Sequence, residues 1–185
     1  AFSVVQAKAM EQFQIFKFKE GIREAGAFVA ASDSDRRRQK SLIAQLTSAQ
    51  LVFEWAIADI NRVGGASPGA GRPQLPVPIM KNGSPFQSIP AGADANELRV
   101  QVAGSALVPI KWDKLSPLFL TKWIQARVAS VPVGPQRGEL LWGGANLNFL
   151  MRSMPSAEAF SKEAAKSNAD YLRIYAEMLE ELQAP

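Results

Sequence analysis

The chain has 185 residues, 47% hydrophobic and 21% charged, with a net charge of +4; these are ordinary globular values that permit an anionic partner without requiring one. It contains no cysteine and no histidine, which removes disulfides, thiolate metal sites, cysteine nucleophiles and the Ser–His–Asp triad. Catalysis would fall to carboxylates, lysine, tyrosine or a borrowed cofactor; carboxylates suffice for glycoside hydrolysis, where only two carboxyl groups are needed.

The first expected element is a helix over residues 2–31. Phe2, Val5, Ala9, Phe13 and Phe16 recur at helical spacing, and Ile15, Phe18, Ile22, Ala25 and Val29 make a second row beside them, so that together they form a broad apolar face. Gly21 and Gly26 each cost about 1 kcal/mol in a helix interior and mark a bend or a close contact. SDSD, residues 32–35, supplies a turn and capping side chains. A second helix over 35–63 carries Leu42, Leu46, Ala49, Phe53, Ala56, Ile60 and Val63, alternating by four and three. The short connection implies an antiparallel helical hairpin over residues 1–63.

GGASPGAG opens a linker over residues 64–73. Residues 74–112 read as a small antiparallel β unit. PVPIMKNGSPFQSI carries the hairpin-turn pair Asn82-Gly83, AGADAN reads as a connection, and ELRVQV–AGSA–LVPIKW makes a second hairpin. Pro76, Pro78, Pro85 and Pro109 restrict these strands to short or edge positions. A sheet this small must rest on helices.

Residues 113–185 return to helix, as a group of four. Ser116 is the N-cap, Pro117 takes the first helical position, and Leu115 with Leu120 has the spacing of a hydrophobic staple. Phe119, Leu120, Trp123, Ile124 and Val128 face inward. Trp112 and Trp123 are therefore expected to pin the β unit to the helices rather than to form a ligand platform. Asn168 to Asp170 caps a last helix with an apolar stripe of Leu172, Tyr175, Met178, Leu179 and Leu182. The fold class expected is α+β, mostly α, in one compact domain overall.

Residues 140–170, LLWGGANLNFLMRSMPSAEAFSKEAAKSNAD, place Ala145, Ala157 and Ala164 on three small positions, with Trp142 and Phe160 each one place from an aromatic position and Ala169 where a proline would stand. This stretch resembles a tetratricopeptide repeat, and the order of elements looks like accessory regions of large multidomain bacterial proteins. The resemblance implies a protein-binding scaffold. Gly143-Gly144 within the same helix predicts close approach of another helix.

Candidate sites are few. RRRQK puts Arg36, Arg37, Arg38 and Lys40 in the first turns of a helix, where the dipole favours anions; an anionic ligand or nucleic acid would be held there. FQIFKF concentrates Phe13, Phe16 and Phe18, more large apolar groups than one hairpin face buries, so some should meet the β unit or a partner chain. Asp33 and Asp35 read as caps, Asp59 as a residue on the polar side of its helix, and Glu177, Glu180 and Glu181 as a solvated acidic patch. No metal-binding loop, phosphate loop or nucleophile elbow is present, and no cofactor is expected. The chain begins at Ala1 without a secretory leader, as a processed form or a piece of a longer polypeptide would, which leaves periplasm and cytoplasm both open. The function expected is a non-catalytic scaffold or protein-interaction module in a larger assembly. The alternatives are an anion- or nucleic-acid-binding module and, more distantly, a carboxylate-dependent enzyme.

Overall fold

The computed structural model describes residues 1–65, 71, 73–104 and 106–184. Most of the expected linker, residues 66–70 and 72, lies outside the described residues, as does residue 105 in the AGSA turn. Among the described residues the chain forms seven α-helices and a three-stranded antiparallel sheet, a mostly α member of the α+β class.

The N-terminal apolar rows do form helix, but as two pieces, α1 (Phe2–Gln14) and α2 (Phe18–Gly26), where one helix over 2–31 was expected. The break falls at Phe16, whose φ is +62°. Phe16 N–H donates to Phe13 O at 3.1 Å and Lys17 N–H to Gln12 O at 2.9 Å, the paired bonds that close a helix through a left-handed residue. That position usually holds glycine. Here the strain of a left-handed phenylalanine is offset by burying its ring against Phe18, Phe53 and Trp112.

The third helix, α3 (Asp33–Val63), is capped by Ser32, whose Oγ accepts the Asp35 N–H at 3.1 Å. It runs antiparallel to α2, giving the expected hairpin: Gly21 faces Leu46 near its middle, and Gln39 Nε2 donates to Ala25 O and Phe28 O at its end, both at 2.8 Å. Gly21 also meets Ala9 O, so α1 folds back onto α2 at a point where a side chain would intrude. The heptad stripe of α3 from Leu42 to Ile60 is buried.

The sheet consists of β1 (Ile89–Ala93), β2 (Glu97–Gln101) and β3 (Leu107–Lys111), in sequence order. The β2–β3 hairpin has Leu98 opposite Ile110 and Val100 opposite Val108. The Asn82-Gly83 turn also forms, with Gly83 at φ +88° and Met80 N–H donating to Ser84 O at 2.8 Å. Its arms, however, meet only at the single bridge Ile79–Pro85, because proline at 78 and 85 withholds ladder donors. The second β partner is instead β1, in a segment read from sequence as partly turn. Asp94 Oδ1 closes the β1–β2 connection by accepting the N–H groups of Asn96 and Glu97 at 2.8 and 3.0 Å. Asn61 of α3 clamps the strand, its amide donating to and accepting from the Ala93 backbone at 2.9 Å each way.

After a short 3₁₀ turn come α4 (Leu118–Arg127), α5 (Pro135–Leu150), α6 (Met154–Ala165) and α7 (Asp170–Gln183). Ser116 Oγ accepts the Leu118 N–H at 3.2 Å, and both residues of the expected staple, Leu115 and Leu120, are fully buried. Trp112 is the pin between sheet and helices: its Nε1–H donates to Asp94 O at 2.7 Å while its ring meets Phe16, Phe53 and Phe119. Trp123 pins α4 to α3, donating to Asp59 Oδ2 at 3.0 Å. Asp59 is therefore not on a solvated face. It is 2% exposed and also accepts from Arg127 Nε at 2.9 Å, Arg127 Nη2 at 3.2 Å and Arg62. One apolar core runs from Phe2 through the sheet to Phe160, and a smaller cluster of Phe149, Ala157, Tyr175 and Met178 seats α7. Among the described residues no helix is long and apolar enough to cross a membrane.

Candidate functional site

Three glycines on α5 bring its neighbours close. A side chain at Gly143 would strike Val52 and come within 3.2 Å of Ser48 O, both on α3; one at Gly144 would lie 2.7 Å from the Phe160 ring of α6; one at Gly138 would strike Ser167. The Gly143-Gly144 pair thus serves two helices at once, as close approach requires. With α3 and α6 held tightly to α5, α7 is left to cover what remains. It does so through Tyr171 stacked on Trp142 at 4.8 Å, and through Tyr175 set edge-on to Phe149.

Between α3, α5 and α7 lies an open trough of about 370 Å³, lined by Arg37, Lys40, Ser41, Ala44 and Gln45 from α3, Trp142 and Asn146 from α5, and Ile174, Glu177, Met178 and Glu181 from α7. A second arm of about 230 Å³ shares Ser41, Gln45, Met178 and Glu181 with it and runs on past Arg38, Leu42, Phe149, Leu150, Arg152 and Leu182 to Phe2 and Met10 of α1. The basic cluster is divided by this geometry. Arg36 bonds back to Asp33 at 2.7 Å at the exposed start of its helix, whereas Arg37 and Lys40 stand on one wall of the trough and Arg38 on the adjoining arm.

Gln45 and Asn146 have the chemistry that sequence reasoning missed. Each is more than nine-tenths buried, at 7% and 2% exposed. Gln45 Nε2 donates to Ser41 Oγ at 3.0 Å and Asn146 Nδ2 to Trp142 O at 2.9 Å. Among the described residues neither amide oxygen has a hydrogen-bond partner, yet no buried side-chain oxygen is left unsatisfied out of reach of solvent. Both oxygens are therefore within reach of solvent, on residues that line the trough. The one available signal was Gln45 itself, a polar residue between Leu42 and Leu46 on an otherwise apolar stripe.

The other sequence candidates resolve differently. Phe13, Phe16 and Phe18 are all buried, so their assignment to a partner surface is corrected. The excess aromatic area is taken up by α3 and the β unit, with Phe16 5.1 Å from Trp112 and Phe18 5.4 Å from Phe53. Glu177 and Glu181 line the trough, but one turn apart on the same helix, side by side rather than facing each other across a bond to be cleaved. Among the described residues no group of three or more acidic side chains gathers to hold a metal ion.

A larger cavity lies elsewhere, about 750 Å³ between residues 128–138, α5 and α6, with Val128, Leu141 and Phe160 in its wall. Its charged groups are engaged: Arg137 donates to Val131 O and Ala129 O, at 2.7 and 2.9 Å, and Lys166 pairs with Glu163 at 2.8 Å. The trough differs in having buried amides, Gln45 and Asn146, whose oxygens lack partners among the described residues. Comparison of the chain with protein-family models, with curated proteins and with solved structures gives no match.

Proposed function

We propose that the chain is a non-catalytic interaction module that works by docking a partner protein within a larger assembly or longer polypeptide. The observation that carries this reading is the trough. Its floor joins apolar side chains to two unmet amide oxygens, and α7 beside it leaves Leu172 46% and Leu182 41% exposed on a stripe that is otherwise turned inward. Half-covered apolar helix faces beside a groove are where partners bury surface. The same reading takes residues 140–170 as a repeat-like hairpin: Ala145, Ala157 and Ala164 are fully buried, and Phe160 of α6 fills the space over Gly144 of α5.

Because the chain has no cysteine, a single A44C substitution places a photo-crosslinker on the trough wall, and A126C places one on an exposed face of α4. In extract of the native host, position 44 is expected to give a discrete adduct heavier than the 20.1 kDa of one chain, and position 126 none. Equal labelling from both positions, or a chain that stays at its own mass from both, would count against the module.

A further inference from the structure

We propose that the trough receives an extended, acidic segment of polypeptide, whose main-chain N–H groups bond to Gln45 and Asn146 and whose carboxylates face Arg37, Lys40 and Arg152; this rests on the reading of the chain as an interaction module. Three observations converge on it. The first is the floor. Gln45 Oε1 and Asn146 Oδ1 are acceptors on buried residues without partners among the described residues, so the ligand must bring donors. Backbone amides repeat such donors along a chain.

The second is shape. The two arms adjoin at Ser41, Gln45, Met178 and Glu181, which line both, an elongated layout that suits a linear ligand better than a compact one. The arm that ends among Phe2, Leu42, Phe149 and Leu182 would take an apolar side chain.

The third is charge. The walls carry Arg37, Lys40 and Arg152 against the carboxylates Glu177 and Glu181. The excess is positive and lies along the α3 side and the end of α5. A segment with its main chain on the floor and its acidic side chains on that side, away from the α7 carboxylates, matches both walls. Nucleic acid fits less well: Glu177 and Glu181 would face its phosphates, and a Trp142 face on which a base would stack is covered by Tyr171.

The test uses three fluorescent probes at low ionic strength: a peptide of about eight residues alternating glutamate and leucine, the same peptide with lysine for glutamate, and an oligothymidylate of similar length. The glutamate peptide is expected to bind and to shift the side-chain amide resonances of Gln45 and Asn146, with affinity falling as salt rises. The paired change R37Q/K40Q should weaken it about tenfold or more. A44W, which fills the trough from an exposed position, should abolish binding with the far-UV circular dichroism unchanged. N146L should weaken binding without changing its salt dependence, and the resonance shifts decide the point if that variant does not fold. Equal or tighter binding of the lysine peptide or the oligonucleotide, unmoved amide resonances, or no glutamate-peptide binding up to about 1 mM would overturn the inference. If crosslinking from position 44 still gave its discrete adduct, the interaction module would stand and only the acidic segment would fall.

Discussion

Asp59 shows how one side chain can hold two helices. Burial pushes its pKa up, but the bonds and charge of Arg127, with Arg62 and Trp123 adding theirs, more than offset this and hold the carboxyl below its ordinary value of 3.8. A folded-state pKa below the unfolded one means that the group stabilises the fold at pH values above 3.8, and that this contribution is lost as pH falls through the folded-state value. Asp59→Asn would leave Arg127 as a buried charge without its counterion, a change expected to cost about 3–5 kcal/mol at neutral pH. Urea unfolding of both proteins at a series of pH values checks the sign as well as the size. The gap should be widest near neutrality and shrink on the acid side of 3.8. A gap that stayed constant into acid would mean that Asp59 acts by shape alone.

At the scale of elements, close packing is decided by where glycine is needed. Gly143 touches α3, and an added methyl group would meet Val52 and the fixed Ser48 carbonyl. Overpacking of about 1–3 kcal/mol then exceeds the helix-propensity gain of about 1 kcal/mol, so Gly143→Ala should lower stability. Gly26, at the end of α2 with nothing near its missing side chain, should gain about 0.4–1 kcal/mol as Gly26→Ala. Thermal melts of the two variants moving in the same direction would refute this account. The contrast also explains what could be read from the sequence. The α3 stripe, a capped helix start within residues 32–35 and the close approach at Gly143-Gly144 were legible because pattern and chemistry agree there, although the cap is Ser32 and not Asp33 or Asp35. The break between α1 and α2 was not, since it turns on Phe16, and α5 likewise ends through Arg152 at φ +60°; both are left-handed positions without the glycine that announces them. Strand β1 was hidden because Ile-Pro-Ala-Gly-Ala has weak strand propensity, and tertiary bonds from Asn61 and Gly65 fix it instead. The trough was hidden for a related reason: its walls come from residues 37–45 and 174–181, and no local pattern records that two distant helices leave a gap.

For the molecule as a whole, the distribution of buried surface sets the order in which parts come loose. Helices α1 to α6 and the sheet share one continuous core, while α7 buries only Tyr175 and Met178 fully, in the smaller cluster with Phe149 and Ala157. Few buried apolar contacts mean a low free energy of local opening. Native-state hydrogen exchange should therefore show α7 amides exchanging through a small local opening that is insensitive to mild denaturant, while the amides of α3 exchange only with global unfolding. A chain ending at Asn168 should keep a cooperative melt and lose the trough, because it would lack the wall formed by Ile174, Glu177, Met178 and Glu181. Peptide binding would vanish while the body stayed folded. The consequence for function is that the weakest-held helix is also the one that frames the candidate docking site, so a bound segment bridging α3 and α7 should raise the protection of α7 amides by the same factor by which it occupies the site. Protection of α7 equal to that of α3 in the free protein would place α7 in the main core and remove this coupling.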